Sequence, residues 1–436
     1  MKTNSNQSKP SSRAVIIGGV RTPFVRAFGP FIQMDTIMLG VKAVKGLLQH
    51  YPIPYKDISG MVWGGVILPS GSANICREII FDSGLPKTMD AITVTRVCTS
   101  SLNAITLAAS AIERGEADIM IAGGSDSTSN AEVKLPQTIV HKAAPVVLNS
   151  KSSVLDYFRL LFQINPMKDL RPERPAIRER TTKELMGESA EKMAVKNAIS
   201  REAQDRFALQ SHLRAAKAIE TGRFAKEVIP IDTPDGKRVY TDNIVRGNTT
   251  LEKLSKLKPA FSKNGTLTAG NSSSLTDGAA AVLLMNEDKA KSLGFKPLAA
   301  FRSWSYGAVD PNDQLLIGPA FSMPYALQRA GMALSDIDLI DIHEAFAAQV
   351  LSVLCMLESD TFARERLGID KAFGKIQPET INIHGGSIAL GHPFAATGAR
   401  MVTTMANEFH LSGKGTALLG ICGAGGVSAG AVLEAI

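Results

Sequence analysis

The sequence predicts an α/β protein made of two similar halves, in which sheets and helices stack in layers. Three observations carry this. Short apolar runs closed by glycines alternate with segments of helical period. A series that begins at Asp57-Ile58-Ser59-Gly60-Met61-Val62-Trp63 recurs in kind from Asp336-Ile337-Asp338-Leu339-Ile340-Asp341-Ile342, a spacing far beyond solenoid periods. Two segments, Thr99 to Ala111 and Ala395 to Asn407, hold mostly small residues, with Arg400 almost their only charge, which suits helices covered on all sides.

Taken in order, residues 1–13 are polar, lack the apolar stretch of a secretory signal and are expected to fray. A strand is expected from Ala14 to Gly18, a helix from about Thr36 to Leu48, and a strand through Met61-Val62-Trp63 to Gly64-Gly65. A strand from Thr93 to Val97, a helix from about Thr99 to Arg114 and a strand from Ile119 to Ala122, closed by Gly123-Gly124, complete the series. Residues 131–258 break the rhythm with a largely helical excursion. Its stronger helices are around Lys183 to Asn197 and Arg201 to Gly222, the second with Ser200 as N-cap and Glu202 in its first turn. Within it, Val154 to Ile164 is unusually apolar among Lys151, Arg159, Lys168 and Arg171. It reads as a helix covering the core, with a lipid- or partner-facing segment as the alternative. The scheme is a tail 1–13, an N-terminal half 14–130 plus 259–290, the insertion 131–258 and a C-terminal half 291–436.

Composition narrows the function. With 436 residues, 44% hydrophobic and 20% charged, the chain is long and apolar enough for a large core and is not disordered. The 48 basic and 41 acidic residues leave +7, scattered without a run of five like charges, so no nucleic-acid arm is present and a small anionic ligand suits the excess. No uncharged apolar stretch is long enough to span a membrane, while peripheral membrane contact stays open. The four cysteines lack C-x-x-C spacing, which argues for reduced thiols in a cytoplasmic setting and against a disulfide framework or a metal site.

Cys98 stands at a strand–helix junction, where free N–H groups and the helix dipole are expected to favour a thiolate. Alone it reads as a core cysteine. His392 lies in a glycine-containing run before the second small-residue helix, with Pro393 suited to a helix start. Packing those two helices against each other between sheets brings Cys98 and His392 together, a nucleophile beside its base. Cys422 follows a strand and precedes Gly423-Ala424-Gly425-Gly426, whose backbone N–H groups can face an oxyanion. His343 ends another strand as a helix begins. Cys76 and Cys355 are read as core, and His50, His141, His212 and His410 as structural or surface. His384 is left undecided, since it can simply pack beside the site.

On these residues the chain resembles a thiolase from Val15 to Ile436. Arg21-Thr22-Pro23-Phe24, the Cys98 helix start, Ala122-Gly123-Gly124, Met186-Gly187, Lys258-Pro259-Ala260-Phe261, Gly265 to Asn271, Asp277-Gly278-Ala279-Ala280, Glu344-Ala345-Phe346, Gly391-His392-Pro393 and Cys422 with its glycines occur in the family order. The resemblance implies a duplicated five-layered αβαβα fold, at least dimeric, with an inserted loop domain that binds coenzyme A. It implies Cys98 as acyl-accepting nucleophile, His392 as its base and Cys422 as acid and base for the α-carbon. His343, where many thiolases have Asn, would hold a water that forms one oxyanion hole with His392. The N–H groups of Cys98 and Ala424 would form the other, Ala424 standing where Gly is usual. Ser273 would contact the pantetheine arm of coenzyme A, a co-substrate rather than a resident cofactor, and Lys237 and Arg238 could meet its phosphates.

His343-Glu344-Ala345-Phe346 together with Gly391 to Gly398 resembles most the beta subunit of the fatty-acid-oxidation trifunctional complex, in its bacterial anaerobic form. That implies cleavage of 3-ketoacyl-CoA in the cytoplasm beside an alpha subunit with hydratase and 3-hydroxyacyl-CoA dehydrogenase activities. The runner-up is acetoacetyl-CoA thiolase. A 3-ketoacyl synthase type fits less well because of Cys422, and a non-catalytic lipid-binding member of the fold need not keep Cys98, His392 and Cys422 together.

Overall fold

The apolar runs of the first half become β1 (Ala14–Arg21), β2 (Gly60–Gly64), β3 (Asp90–Val94), β4 (Ile119–Ser127) and β5 (Thr276–Asn286). Those of the second become β6 (Ala299–Ala308), β7 (Leu339–Ile342), β8 (Thr416–Cys422) and β9 (Val427–Ala435). They lie in the order β7-β8-β9-β6-β1-β5-β4-β2-β3 in a computed structural model that describes residues 13–172 and 178–436. The halves join edge to edge where β1 pairs with β6 at Val15–Ala300 and Ile16–Ala299. Their pairing is the same: β2 is parallel to β4, β4 antiparallel to β5 and β5 to β1, just as β7 is parallel to β8, β8 antiparallel to β9 and β9 to β6. Of these nine strands only β3, parallel to β2, has no counterpart in the second half.

The longer helices are α1 (Thr36–His50), α2 (Ile75–Ser83), α3 (Ser100–Glu113), α4 (Gln137–Val147), α5 (Val154–Gln163), α6 (Met186–Lys196), α7 (Arg201–Glu220), α8 (Pro319–Ala330), α9 (Ala347–Leu357) and α10 (Thr397–Ser412). Three cores arrange them in layers. Leu102 and Ile105 of α3 and Val402 and Met405 of α10 share one core with Val62, Ala122 and Val282 of the first half-sheet and Leu419 and Ala431 of the second. α1 and α2 cover the other face of the first half-sheet through Leu39, Leu47 and Ile79, and α8 and α9 that of the second through Met323, Leu327 and Val350. The result is the five-layered αβαβα stack of two duplicated halves.

The central pair explains its composition. α10 buries every residue from Thr397 to Phe409, and its one basic residue there, Arg400, meets Asp341 at 2.8 Å. A Cβ on Gly398 would stand 2.7 Å from the Leu102 nitrogen, so the two helices touch backbone to backbone. Boundaries differ from expectation in three places. β1 and β4 run through their glycine pairs rather than ending at them, and Gly124 sits where a Cβ would come 2.5 Å from the Ala395 oxygen. The strand expected from Thr93 to Val97 is Asp90–Val94, because 95–98 turn to open α3. Arg13, expected to fray, pairs with Glu434, while the rest of the predicted tail lies outside the described residues.

The chain divides into two compact units, Met1–Asn130 with Glu179–Ile436, and Ala131–Arg178. The second unit holds only the first part of the expected excursion 131–258; α6 and α7 belong to the first. Ser200 caps α7 as expected, accepting from Ala203 N at 3.1 Å. In the smaller unit Lys142 ties α4 to Asp169 at 2.7 Å and to the Gln163 carbonyl at 2.9 Å, and Ser153 with Asp156 forms a capping box at the start of α5. The expectation that α5 is a buried cover is corrected: Leu160 alone is buried, and Val154, Leu155, Tyr157, Phe158, Leu161 and Phe162 are exposed.

Candidate active site

The turn after β3 aims Cys98. Val97 has φ 43°, a strained conformation for a β-branched residue, and is held there by local bonds. Ser100 N and Ser100 Oγ donate to the Val97 carbonyl at 3.0 and 2.6 Å, and Thr99 N donates to the Arg96 carbonyl at 3.1 Å. Gly423 leaves the room, since a Cβ there would meet Val97 Cγ2 at 2.7 Å. The turn brings Cys98 Sγ within 3.1 Å of His392 Nε2, which confirms the convergence expected from the two small-residue helices.

His392 is fixed from both sides. Its N–H donates to Thr276 Oγ1 at 3.0 Å, and its Nδ1 lies 2.6 Å from Thr397 Oγ1. For Nε2 to accept the thiol proton, Nδ1 must carry the ring hydrogen and donate to Thr397, so Thr397 sets the tautomer. His343 follows β7, its Nδ1 2.9 Å from Ser387 Oγ and its ring centroid 4.1 Å from that of His392. Its Nε2 is buried and has no hydrogen-bond partner among the described residues. Cys422 ends β8, buried, and the Ala424 N–H is placed to favour charge on the Cys98 sulfur. The positive φ angles of that loop fall on Gly425 and Gly426, at 70° and 74°, so an Ala at 424 is not strained.

Charge at the site is set by burial. Desolvation pushes the Cys98 thiol up to about 12 against the opposing Ala424 N–H, and drives Cys422 well above its ordinary value with Cys98 adding to it. The same burial, helped by Arg400, lowers His392 to about 3 and His343 well below its ordinary value. The resting pair is therefore a neutral thiol and a neutral imidazole. This corrects the expected thiolate: the Thr99 and Ser100 N–H groups are already spent on the carbonyls of Arg96 and Val97, and desolvation outweighs what remains of the helix field.

Three supports escaped sequence reasoning. Thr397, five residues after His392, lay inside a motif run without a role. Glu344, beside His343, accepts from Ser211 Oγ at 2.7 Å, Asn382 Nδ2 at 2.6 Å and Ile388 N at 3.1 Å, and so ties down the loop that leads to His392. Asp126 accepts from Val66 N, Ile67 N and Ala395 N at 3.0, 2.6 and 2.7 Å, and burial pushes its carboxyl up to about 7. No local pattern marks it, because its partners are backbone groups of two distant loops.

The remaining candidates divide. Ser273 is half-buried and its N–H donates to the Ala345 carbonyl at 2.9 Å. Lys237 and Arg238 are exposed and paired with Asp235 at 2.7 Å and Asp232 at 3.6 Å. Cys76 is core, but Cys355 is exposed on α9, which corrects its core assignment. His50, His141 and His410 are exposed, and His212 is buried, its Nδ1 accepting from Arg246 N at 3.2 Å. His384 belongs to a charged cluster, 2.6 Å from Glu408.

Comparison with known proteins agrees with this architecture. The family models for the thiolase N-terminal and C-terminal domains match residues 14–288 and 295–435. A 3-ketoacyl-CoA thiolase of Escherichia coli (strain 55989 / EAEC) is 43% identical over 98% of both chains, and one of Yersinia pestis (strain Pestoides F) is 42% identical over 98% of both. Among solved structures, Bacillus anthracis acetyl-CoA acetyltransferase superposes with a TM-score of 0.82 at 30% identity, covering 98% of this chain and 100% of the other. Human mitochondrial 3-ketoacyl-CoA thiolase does so at 0.80 and 29%, covering 97% and 99%. Matched by both domains of one family across its two halves, the chain belongs to the thiolases.

Proposed function

We propose that the chain is a 3-ketoacyl-CoA thiolase, an acetyl-CoA C-acyltransferase that uses coenzyme A to cut 3-ketoacyl-CoA into acetyl-CoA and a shortened acyl-CoA in fatty acid β-oxidation. One observation carries it: the neutral Cys98–His392 pair at 3.1 Å, with a second buried thiol, Cys422, beside it. The similarity to 3-ketoacyl-CoA thiolases over nearly the whole chain supports the substrate.

In this reading Cys98 Sγ attacks the 3-keto carbon as its proton passes to His392 Nε2. The bond between carbons 2 and 3 breaks, the acyl group stays on Cys98, and the departing acetyl-CoA enolate takes a proton from Cys422 at its α-carbon. Coenzyme A then attacks the thioester, its thiol proton returning to Cys422, while the released Cys98 sulfur takes back the proton held by His392. Two oxyanions need donors. The N–H groups of Cys98 and Ala424 face one, and a water held by the unpartnered His343 Nε2, together with His392, faces the other; each such donor is typically worth about 2.7–4 kcal/mol. Ser273 would meet the pantetheine arm and residues 131–258 the rest of coenzyme A.

The assembly is part of the proposal. β3 is a sheet edge with Ile92 half-exposed, and Leu107 of α3 is exposed as well, which suits pairing with a second copy. The exposed apolar face of α5, with Phe162 89% accessible, suits an alpha subunit carrying the hydratase and 3-hydroxyacyl-CoA dehydrogenase steps, or a membrane surface. No helix among the described residues is long and apolar enough to cross a membrane, and a cytoplasmic location fits the four unpaired cysteines.

A second reading, acetyl-CoA C-acetyltransferase acting on acetoacetyl-CoA, is favoured by the likeness to the Bacillus anthracis enzyme. Thiolysis of 3-ketoacyl-CoA substrates of four to sixteen carbons separates the two. Activity that rises with chain length supports the proposal, activity confined to four carbons moves the assignment, and no cleavage at any length, with Cys98 reactive and the fold intact, overturns both.

A further inference from the structure

The two histidines of the site are held alike. Each has its Nδ1 on a hydroxyl, Ser387 for His343 at 2.9 Å and Thr397 for His392 at 2.6 Å, so each turns its Nε2 the other way. Those ring nitrogens and the Cys98 sulfur all lie within 4.8 Å of one another, and they come from three separate segments of chain. Each ligand position is buried or half-buried, and the His343 Nε2 has no partner among the described residues. Two imidazoles fixed through their far nitrogens and converging on a sulfur form the donor set and outer shell of a soft divalent metal site.

We infer that Cys98, His343 and His392 bind a soft divalent cation of the zinc class as three protein ligands, with a fourth position left for water. The ion acts as a reversible inhibitor rather than a resident cofactor. Zinc–sulfur and zinc–nitrogen bonds of about 2.3 and 2.0–2.1 Å fit a cation seated between donors this close. Binding forms one metal–sulfur bond, and the thiol proton is released to solvent with no change of oxidation state. The nucleophile is thereby withdrawn, so the cation competes with the acyl group for Cys98, and an acylated Cys98 excludes the metal. Cys76 is buried away on the other face of the first half-sheet and Cys355 is exposed on α9, so neither shares these ligands. Metal binding stands on donor geometry, while the competition with the acyl group rests on Cys98 being the nucleophile proposed above; neither depends on the acyl chain the enzyme prefers.

The test avoids coenzyme A, whose own thiol binds zinc. The full-length protein is titrated with Co²⁺ as a coloured substitute for zinc and read by its thiolate-to-cobalt charge-transfer absorption. One equivalent should bind with that band, zinc should displace it, and prior acylation of Cys98 should prevent it. Cys98→Ser should abolish the band, Cys355→Ser should leave it unchanged, and His343→Asn should weaken cobalt binding about tenfold or more. A band that survives Cys98→Ser, or that disappears with Cys355→Ser, would put the metal elsewhere. Equal affinity in folded His343→Asn and the parent, or no band at millimolar cobalt, would also overturn the inference.

Discussion

The two halves share a strand plan but use the same joint differently. In the first half the step from β4 to β5 is occupied by residues 128–275, whereas in the second the step from β8 to β9 is the turn 423–426. The registers make the positions equivalent: Ser127 faces Asp277 across one pair of strands, and Cys422 faces Ser428 across the other. One copy of the joint became a long excursion, and the other stayed tight enough to hold a thiol and an N–H group against Cys98. The central helices differ too, for α3 opens beside Cys98 while α10 is preceded by His392. A duplicated frame thus supports an unduplicated site, with the proposed nucleophile from one half and the proposed proton carriers from the other.

Exchanging a sulfur for an oxygen in each half tests that division most strongly. Cys98→Ser should remove acyl-enzyme formation, a loss of about 10³-fold or more, seen by intact-protein mass after mixing with acyl-CoA. Cys422→Ser should still accept the acyl group yet lose about 10²–10⁴-fold in cleavage of 3-ketoacyl-CoA. Equal loss of both half-reactions in the two variants would break the comparison. Next in size, His343→Ala should lower kcat about 10²–10³-fold with a much smaller change in KM, as expected for a donor that acts on developing charge. A rise in KM alone would reduce His343 to a packing role.

Smaller effects sharpen the picture of the pair itself. Thr397→Val keeps the shape beside His392 and removes the hydroxyl, so kcat should fall by up to about tenfold, in line with one lost hydrogen bond. The protonation state is open to direct measurement. With the Cys98 thiol raised to about 12 and His392 lowered to about 3, alkylation of Cys98 by iodoacetamide should climb about tenfold per pH unit across neutrality without levelling. A plateau there would mean a preformed thiolate–imidazolium pair, the state expected from the helix dipole alone.

Much of this was legible because it rests on repetition and side-chain size. Stretches as poor in charge as Thr99 to Ala111 and Ala395 to Asn407 fit between two sheets, and that placement brings Cys98 to His392 from the sequence alone. The ionisation state was not legible, since it depends on how completely the site is desolvated and on which N–H groups the turn at Val97 consumes. Asp126 and Glu344 were missed for a related reason: each carboxylate reaches backbone groups far away in sequence, and no spacing encodes that. Cys355 was misjudged because an apolar helix such as α9 still has one outward position.

The position of the excursion has a consequence for the growing chain. β5 lies between β1 and β4 and is made only after residues 128–275, so both neighbours wait with open edges while that length is synthesised. At about 5–20 residues per second the wait is roughly 7–30 s, long compared with any hairpin, and it is spent with apolar strands uncovered on the ribosome. The second half closes the matching pair as soon as four more residues emerge. The first half thus keeps its strand edges open the longer of the two, and chaperones have most to protect there.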